Sequence, residues 1–273
     1  MRAGFVGKIC LGTAQFGLDY GIANKKGKLS KDEVFGILEY ARISGIDTLD
    51  TAPSYGDSEA VIGEYMSQYG RRFKIISKLP HLDRESDFDL EGLCRRSLSH
   101  LRQEKMEGYL VHRFDDLRSN RGLFDRMRDL KEKGLVCKIG FSVYKTEDVE
   151  YILKNRISCS IIQLPYSIFD RRFERLFPTL KDNGIEIYAR SVFLQGLFFL
   201  DRRAISEKFS SADDRMRKLC DIAAEKAVPL NSLCLDFVLL NPYIDKVVLG
   251  VDSRPQMAEN IASYKYLAMV KEI

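Results

Sequence analysis

Four side chains able to move or stabilise a proton sit at one kind of place in this 273-residue sequence: the ends of short apolar runs. Asp50 ends the run from Ile46, and Tyr55 follows in the adjoining segment Thr51-Ala-Pro-Ser-Tyr55-Gly56. Lys78 ends the run from Lys74, and His112 ends the run from Gly108. Each is weak evidence alone, because a strand aspartate is commonly structural and a lysine among apolar neighbours commonly snorkels. Together they form a constellation. Asp50 and Lys78 can pair, and the lysine charge beside Tyr55 is expected to lower a phenol pKa from its ordinary ~10. His112 can direct an oxygen toward that phenol. Such a group donates a proton to a developing oxyanion, the chemistry of carbonyl reduction.

Placing those residues in one mouth requires strands that end on one rim. Eight β-rich runs start at Lys8, Ile46, Lys74, Gly108, Cys137, Cys159, Ile185 and Asp245, with gaps of 22 to 60 residues. Each gap can hold a crossover helix. Ser30 and Glu33 form a capping box before Val34, Ile37, Leu38 and Ala41, and Gly45 closes that helix. Leu93, Leu98 and Leu101 mark another helix, and Leu123, Met127 and Leu130 one stopped by Gly134. The last gap holds helices near 212–226 and 230–240, the second burying Leu233, Phe237 and Leu240. Ser253 and Gln256 open a final helix. The pattern predicts an α/β fold, a (β/α)8 TIM barrel, with residues 1–273 as a single domain. A doubly wound sheet is the runner-up, and Gly12 and Gly17 lack the dinucleotide-fingerprint spacing it would need. Barrel active sites lie at the carboxyl ends of the strands, which adds Ser142, Gln163, Arg190 and Ser191 to the rim.

Composition excludes several classes. Hydrophobic residues are 45% and charged residues 30%, so the chain is not disordered, and a net charge of +4 does not argue for a nucleic-acid partner. No run approaches the ~18 apolar residues of a membrane span, and the start does not read as a signal peptide. The six cysteines form neither a C-x-x-C pair nor a zinc pattern, so they are expected as free thiols in the cytoplasm and no metal is expected.

At these residues the sequence resembles the aldo-keto reductase family. Leu11 to Gly17 is similar to its opening strand, Asp50-Thr-Ala-Pro-Ser-Tyr55-Gly-Asp-Ser-Glu59 to its aspartate–tyrosine signature, Ile75-Ile-Ser-Lys78 to its lysine strand, and Tyr109-Leu-Val-His112 to its histidine strand. The resemblance runs from about residue 8 to 262. It implies a catalytic set of Asp50, Tyr55, Lys78 and His112, with Tyr55 donating the proton, Lys78 and Asp50 tuning it, and His112 orienting the carbonyl. It implies NADP extended across the mouth, with NAD as the other option. Ser142 and Gln163 would hold the nicotinamide carboxamide, and Arg190 would pack on the ring. Gly12, Thr13, Asp50 and Ser191 would face the cofactor, and Gly196 would lie in the adjoining loop. Gly250 to Asn260 would grip the adenosine end, with Glu259 and Asn260 toward the adenine.

The departures from the family pattern bear on cofactor choice. Val143 replaces a common asparagine, Arg113-Phe114-Asp115 replaces a frequent proline motif, and Gln256 replaces a common arginine. Arg254 is then the cation available to a 2′-phosphate, with Asp252 opposing it. The stretch from Leu11 to Asn24 resembles a bacterial branch linked to surface-polysaccharide synthesis, which makes a keto-sugar the narrower guess within a small-molecule carbonyl substrate. With no tryptophan present, a lid over the site would come from Phe16, Tyr20, Phe114 or Tyr144. The competing readings are a cofactor-binding regulatory or non-redox subunit, or a lyase or epimerase using the cofactor transiently. The sequence leaves the oligomeric state open.

Overall fold

The computed structural model of the protein describes residues 2–21, 27–70, 73–82, 88–120, 122–194 and 213–263. Eight parallel strands close into one barrel in sequence order. They are β1 (Ile9–Gly12), β2 (Thr48–Asp50), β3 (Lys74–Leu79), β4 (Met106–Val111), β5 (Val136–Ser142), β6 (Ile161–Pro165), β7 (Glu186–Arg190) and β8 (Lys246–Gly250). All eight expected runs are strands, and the (β/α)8 expectation holds. A parallel strand packed on both faces reads as a continuous apolar run rather than an alternating one, and β1, β2 and β6 are buried at every position.

The lumen is packed. Ile76, Leu110, Ile161 and Tyr188 form an inner cluster with Val248 against it. Gly108 makes room there, since a side-chain carbon on it would press into Ile76 Cδ1 at 2.7 Å. The amino-terminal end is closed by ion pairs between strand starts. Asp47 meets Lys74 at 2.7 Å and Lys246 at 3.2 Å, while Lys138 meets Glu186 at 2.7 Å and Glu107 at 3.0 Å.

The helices follow the signals that predict them. Ser30 and Glu33 form the capping box of the helix Lys31–Ser44, which ends at Gly45 with φ 93°. The two late helices are Asp213–Glu225 and Leu230–Leu239. The second is buried more widely than expected: Leu233, Cys234, Leu235, Asp236 and Val238 are inside, while Phe237 and Leu240 only flank the core. The helix Arg254–Ala262 is capped by Ser253 Oγ, which accepts from Gln256 N. Two short helices, Arg2–Gly7 and Phe114–Ser119, had no sequence signal because neither is long enough to show a period. Among the described residues, no helix is long and apolar enough to cross a membrane, and no His/Cys/Asp/Glu group could hold a metal ion.

Candidate active site

Strand register puts the chemistry on one rim. Gly12 pairs with Asp50 on one side and Gly250 on the other, and Ser142 pairs with Gln163. Asp50 and Ser142 end β2 and β5, Arg190 ends β7, and His112 lies one residue past β4.

The loop after β2 is braced by buried hydroxyls. Thr13 Oγ1 donates to the carbonyl of Asp50 at 2.9 Å, and Ser58 Oγ donates to Thr13 Oγ1 at 2.9 Å. Thr51 Oγ1 and Ser58 Oγ lie 3.1 Å apart. Ser77 Oγ donates to Glu59 Oε1 at 2.6 Å, fixing β3 beside Lys78. The spacing from Asp50 to Glu59 therefore has a mechanical reason: its polar residues hold the loop that carries Tyr55.

Lys78 is 1% exposed, yet its charge is fully engaged. Nζ donates to Asp50 Oδ2 at 2.7 Å, to the Thr51 carbonyl at 3.0 Å and to Tyr55 Oη at 3.3 Å. An ammonium has three hydrogens, so these three acceptors exhaust it. Because Tyr55 Oη accepts from Lys78, the phenol's own hydrogen is free to donate elsewhere. Burial strongly penalises a charged lysine here, but Asp50 and Tyr55 favour it, and the Lys78 pKa is raised above its ordinary value.

Tyr55 corrects the sequence expectation. Its pKa is raised, not lowered, because desolvation of the phenolate outweighs the attraction of Lys78, with Asp50 adding to the rise. The phenol is thus protonated at physiological pH, as a proton donor must be. The His112 ring stands edge-on to it, with centroids 6.1 Å apart. Burial, together with the positive charges of Lys78, Arg190 and Arg113, pushes the His112 pKa down to about 3, so the imidazole is neutral. Ser54 Oγ lies 3.5 Å from its Nδ1.

A cleft of about 1110 Å3, open solvent at its mouth included, covers this cluster. Asp50, Tyr55 and His112 line it, as do Gly12, Thr13, Ser142, Gln163, Arg190, Ser191, Gly250, Asp252 and Gln256. Lys78 stands behind the wall, bonded to Asp50 and Tyr55. Arg190 lies 3.9 Å over the Tyr144 ring and donates to the Val143 carbonyl at 2.9 Å. Its neighbour Ser191 adopts φ 63°, a strained conformation for a residue with a side chain.

Three expected residues are not brought into the lining. Arg254 lies 5.2 Å over the Tyr40 ring, Glu259 is exposed, and Asn260 is 1% exposed with both side-chain polar atoms unpartnered among the described residues. Gly196 and Asn24 lie outside the described residues. Of the lid candidates, Tyr20 and Tyr144 line the cleft, but Phe16 and Phe114 are core residues, 1% and 5% exposed. Phe114 packs edge-on against Phe141 at 5.6 Å instead. Gln15 and Phe193, not among the expected site residues, also line the cleft. Gln15 is the polar residue three places past the β1 glycine, a position its strand-end neighbours could have suggested.

Known proteins resemble this chain in sequence and in fold. An uncharacterized oxidoreductase of Bacillus subtilis, YqkF, is 24% identical across 89% of this chain and 85% of its own length. The D-threo-aldose 1-dehydrogenase of a Pseudomonas species is 24% identical across 92% of this chain and 89% of its own. The solved structure of an aldo-keto reductase from Bacillus halodurans, in its holo form, superposes with a TM-score of 0.73 at 18% identity, covering 97% of this chain and 91% of that one. The sequence model of the aldo/keto reductase family matches residues 8–272, and this oxidoreductase-type enzyme belongs to that family.

Proposed function

We propose that the chain, acting as one domain over residues 1–273, reduces a carbonyl to an alcohol with NADPH or NADH, and that Tyr55 donates the proton. The observation that carries this reading is the contact from Lys78 Nζ to Tyr55 Oη at 3.3 Å, which leaves the phenol hydrogen free for an incoming oxygen.

The residues present fit a nicotinamide dinucleotide. The bare backbones of Gly12 and Gly250 on the cleft wall allow close approach. On the cleft wall, Arg190 Nε has no protein partner among the described residues. Ser142, Arg190 and Ser191 would hold the nicotinamide end, and Gly250, Asp252 and Gln256 the adenosine end. When bound, the reduced nicotinamide supplies the hydride to the carbonyl carbon. The neutral His112 imidazole offers an N–H to the carbonyl oxygen and orients it. As negative charge develops on that oxygen, Tyr55 transfers its proton to it, and Lys78 stabilises the phenolate left behind. Solvent then returns a proton to Tyr55.

The substrate class we favour is a small carbonyl compound, with a keto-sugar as the narrower case. A relative named for an aldose supports the sugar, and the six unpaired cysteines suit a reducing cytoplasm. The test follows consumption of NADPH and NADH over a panel of aldehydes, ketones and keto-sugars. Tyr55→Phe is expected to cut turnover by ~10²–10⁴-fold while cofactor affinity stays near that of the unaltered protein. Undiminished turnover in this variant would remove Tyr55 as the donor. Activity without net cofactor consumption would favour a lyase or epimerase.

A further inference from the structure

Gln163 is expected from the sequence to serve the cofactor alone, but its amide is already engaged in the cluster. It sits in β6, 113 positions from Asp50, and barrel closure brings the two together. Nε2 donates to Asp50 Oδ1 at 2.7 Å, with both groups buried. The direction is set by chemistry, because an ionised carboxylate accepts and cannot donate. Lys78 takes the other oxygen, Oδ2, also at 2.7 Å. The Asp50 carboxylate is therefore gripped at both ends, and it cannot turn without dragging Lys78.

We propose that Gln163 is a positioning residue for proton transfer, holding Asp50 in the orientation that keeps Lys78 within reach of Tyr55 Oη. The inference rests on Tyr55 being the proton donor. Without the amide, Oδ1 becomes a buried carboxylate oxygen with no donor, which is costly. The available remedy is for Asp50 to turn and take a second Lys78 hydrogen. The hydrogen with the longest contact, 3.3 Å to Tyr55, is the one most easily withdrawn. The phenolate then loses its stabilising cation and Tyr55 becomes a weaker acid. Gln163 also lines the cleft, so one side chain joins the cofactor wall to the proton relay.

Gln163→Met keeps the length and removes the donor. Three quantities separate the roles: cofactor Kd by titration calorimetry, kcat, and the pH profile of kcat/KM. We expect kcat to fall roughly ten- to hundredfold, the scale of one hydrogen bond to a charged group, and the alkaline limb to move to higher pH. In an Asp50→Asn background the same substitution should lower kcat by clearly less than in the parent, because no carboxylate remains to be held. Gln163→Glu regains the bond only when its carboxyl is protonated, so it should outperform Gln163→Met increasingly as pH falls. Without cofactor, the phenolate absorbance of the free protein, less that of Tyr55→Phe, should titrate at higher pH in Gln163→Met. A loss confined to cofactor Kd, with kcat and the pH profile unchanged, would overturn the proposal. So would equal losses of kcat in both backgrounds. Retained turnover in Tyr55→Phe would instead refute the proton-donor reading itself.

Discussion

Removing the Lys78 ammonium while Asp50 remains reverses the field at Tyr55 instead of cancelling it. At an effective dielectric of about 20, charges 3.3 Å apart attract by about 5 kcal/mol, which sets the pull of Lys78 on a Tyr55 phenolate. Taking the two Lys78 contacts laid end to end, about 6 Å, as the separation of Asp50 from that oxygen, the repulsion is about 3 kcal/mol. The pair together stabilises the phenolate by about 2 kcal/mol. Lys78→Met deletes the attraction alone, and by this arithmetic lowers turnover by about three to four decades. Asp50→Asn with Lys78→Met deletes both charges and costs only about 40-fold. The double variant is therefore expected to be the faster one, by about a hundredfold. Stability should follow the same order, since an unpaired buried carboxylate costs roughly 3–5 kcal/mol and its neutralisation recovers most of that. The assay is NADPH-coupled carbonyl reduction beside urea unfolding of both proteins. A double variant no faster than Lys78→Met would refute the electrostatic account, even if both were stable.

Two further predictions follow from the same rim. His112 has a folded pKa of about 3 against an ordinary 6.5, so as pH falls below 6.5 the unfolded chain gains a proton that the folded chain refuses. Stability is lost in that window, by up to about 2 kcal/mol at pH 5, and His112→Gln should narrow the gap between urea midpoints at pH 7 and pH 5. Arg254→Ala should weaken NADPH by roughly 1.5–3 kcal/mol and leave NADH nearly unchanged, if the guanidinium leaves Tyr40 for a 2′-phosphate. Dissociation constants for both cofactors decide it, and equal losses would assign the arginine to packing on Tyr40.

What was legible in the sequence was what a strand end announces. Asp50, Lys78, His112, Ser142 and Arg190 each close an apolar run, so their shared rim follows once the runs are taken as barrel strands. Loop residues carry no period, and Phe16 and Phe114 could not be told from Tyr20 and Tyr144 until burial separated them. The sign of the Tyr55 shift was out of reach for a related reason. A neighbouring charge can be inferred from residue types, whereas desolvation depends on packing around the ring. The bond from Gln163 to Asp50 depends on closure across the lumen between distant strands, which no local spacing encodes.

Gly17 and Gly56 have a bearing on how this enzyme can be altered. A side-chain carbon on Gly17 would overlap the Tyr55 carbonyl, and one on Gly56, which has φ 61°, would overlap the Gly17 carbonyl. The segments after β1 and β2 are thus interlocked backbone to backbone. For an engineer seeking a new substrate range, this makes the Tyr55 wall a fixed datum, since a substitution at either glycine moves Tyr55 before it reshapes the pocket. Library diversity belongs at Tyr144 and Phe193, whose side chains line the cleft outside these two segments.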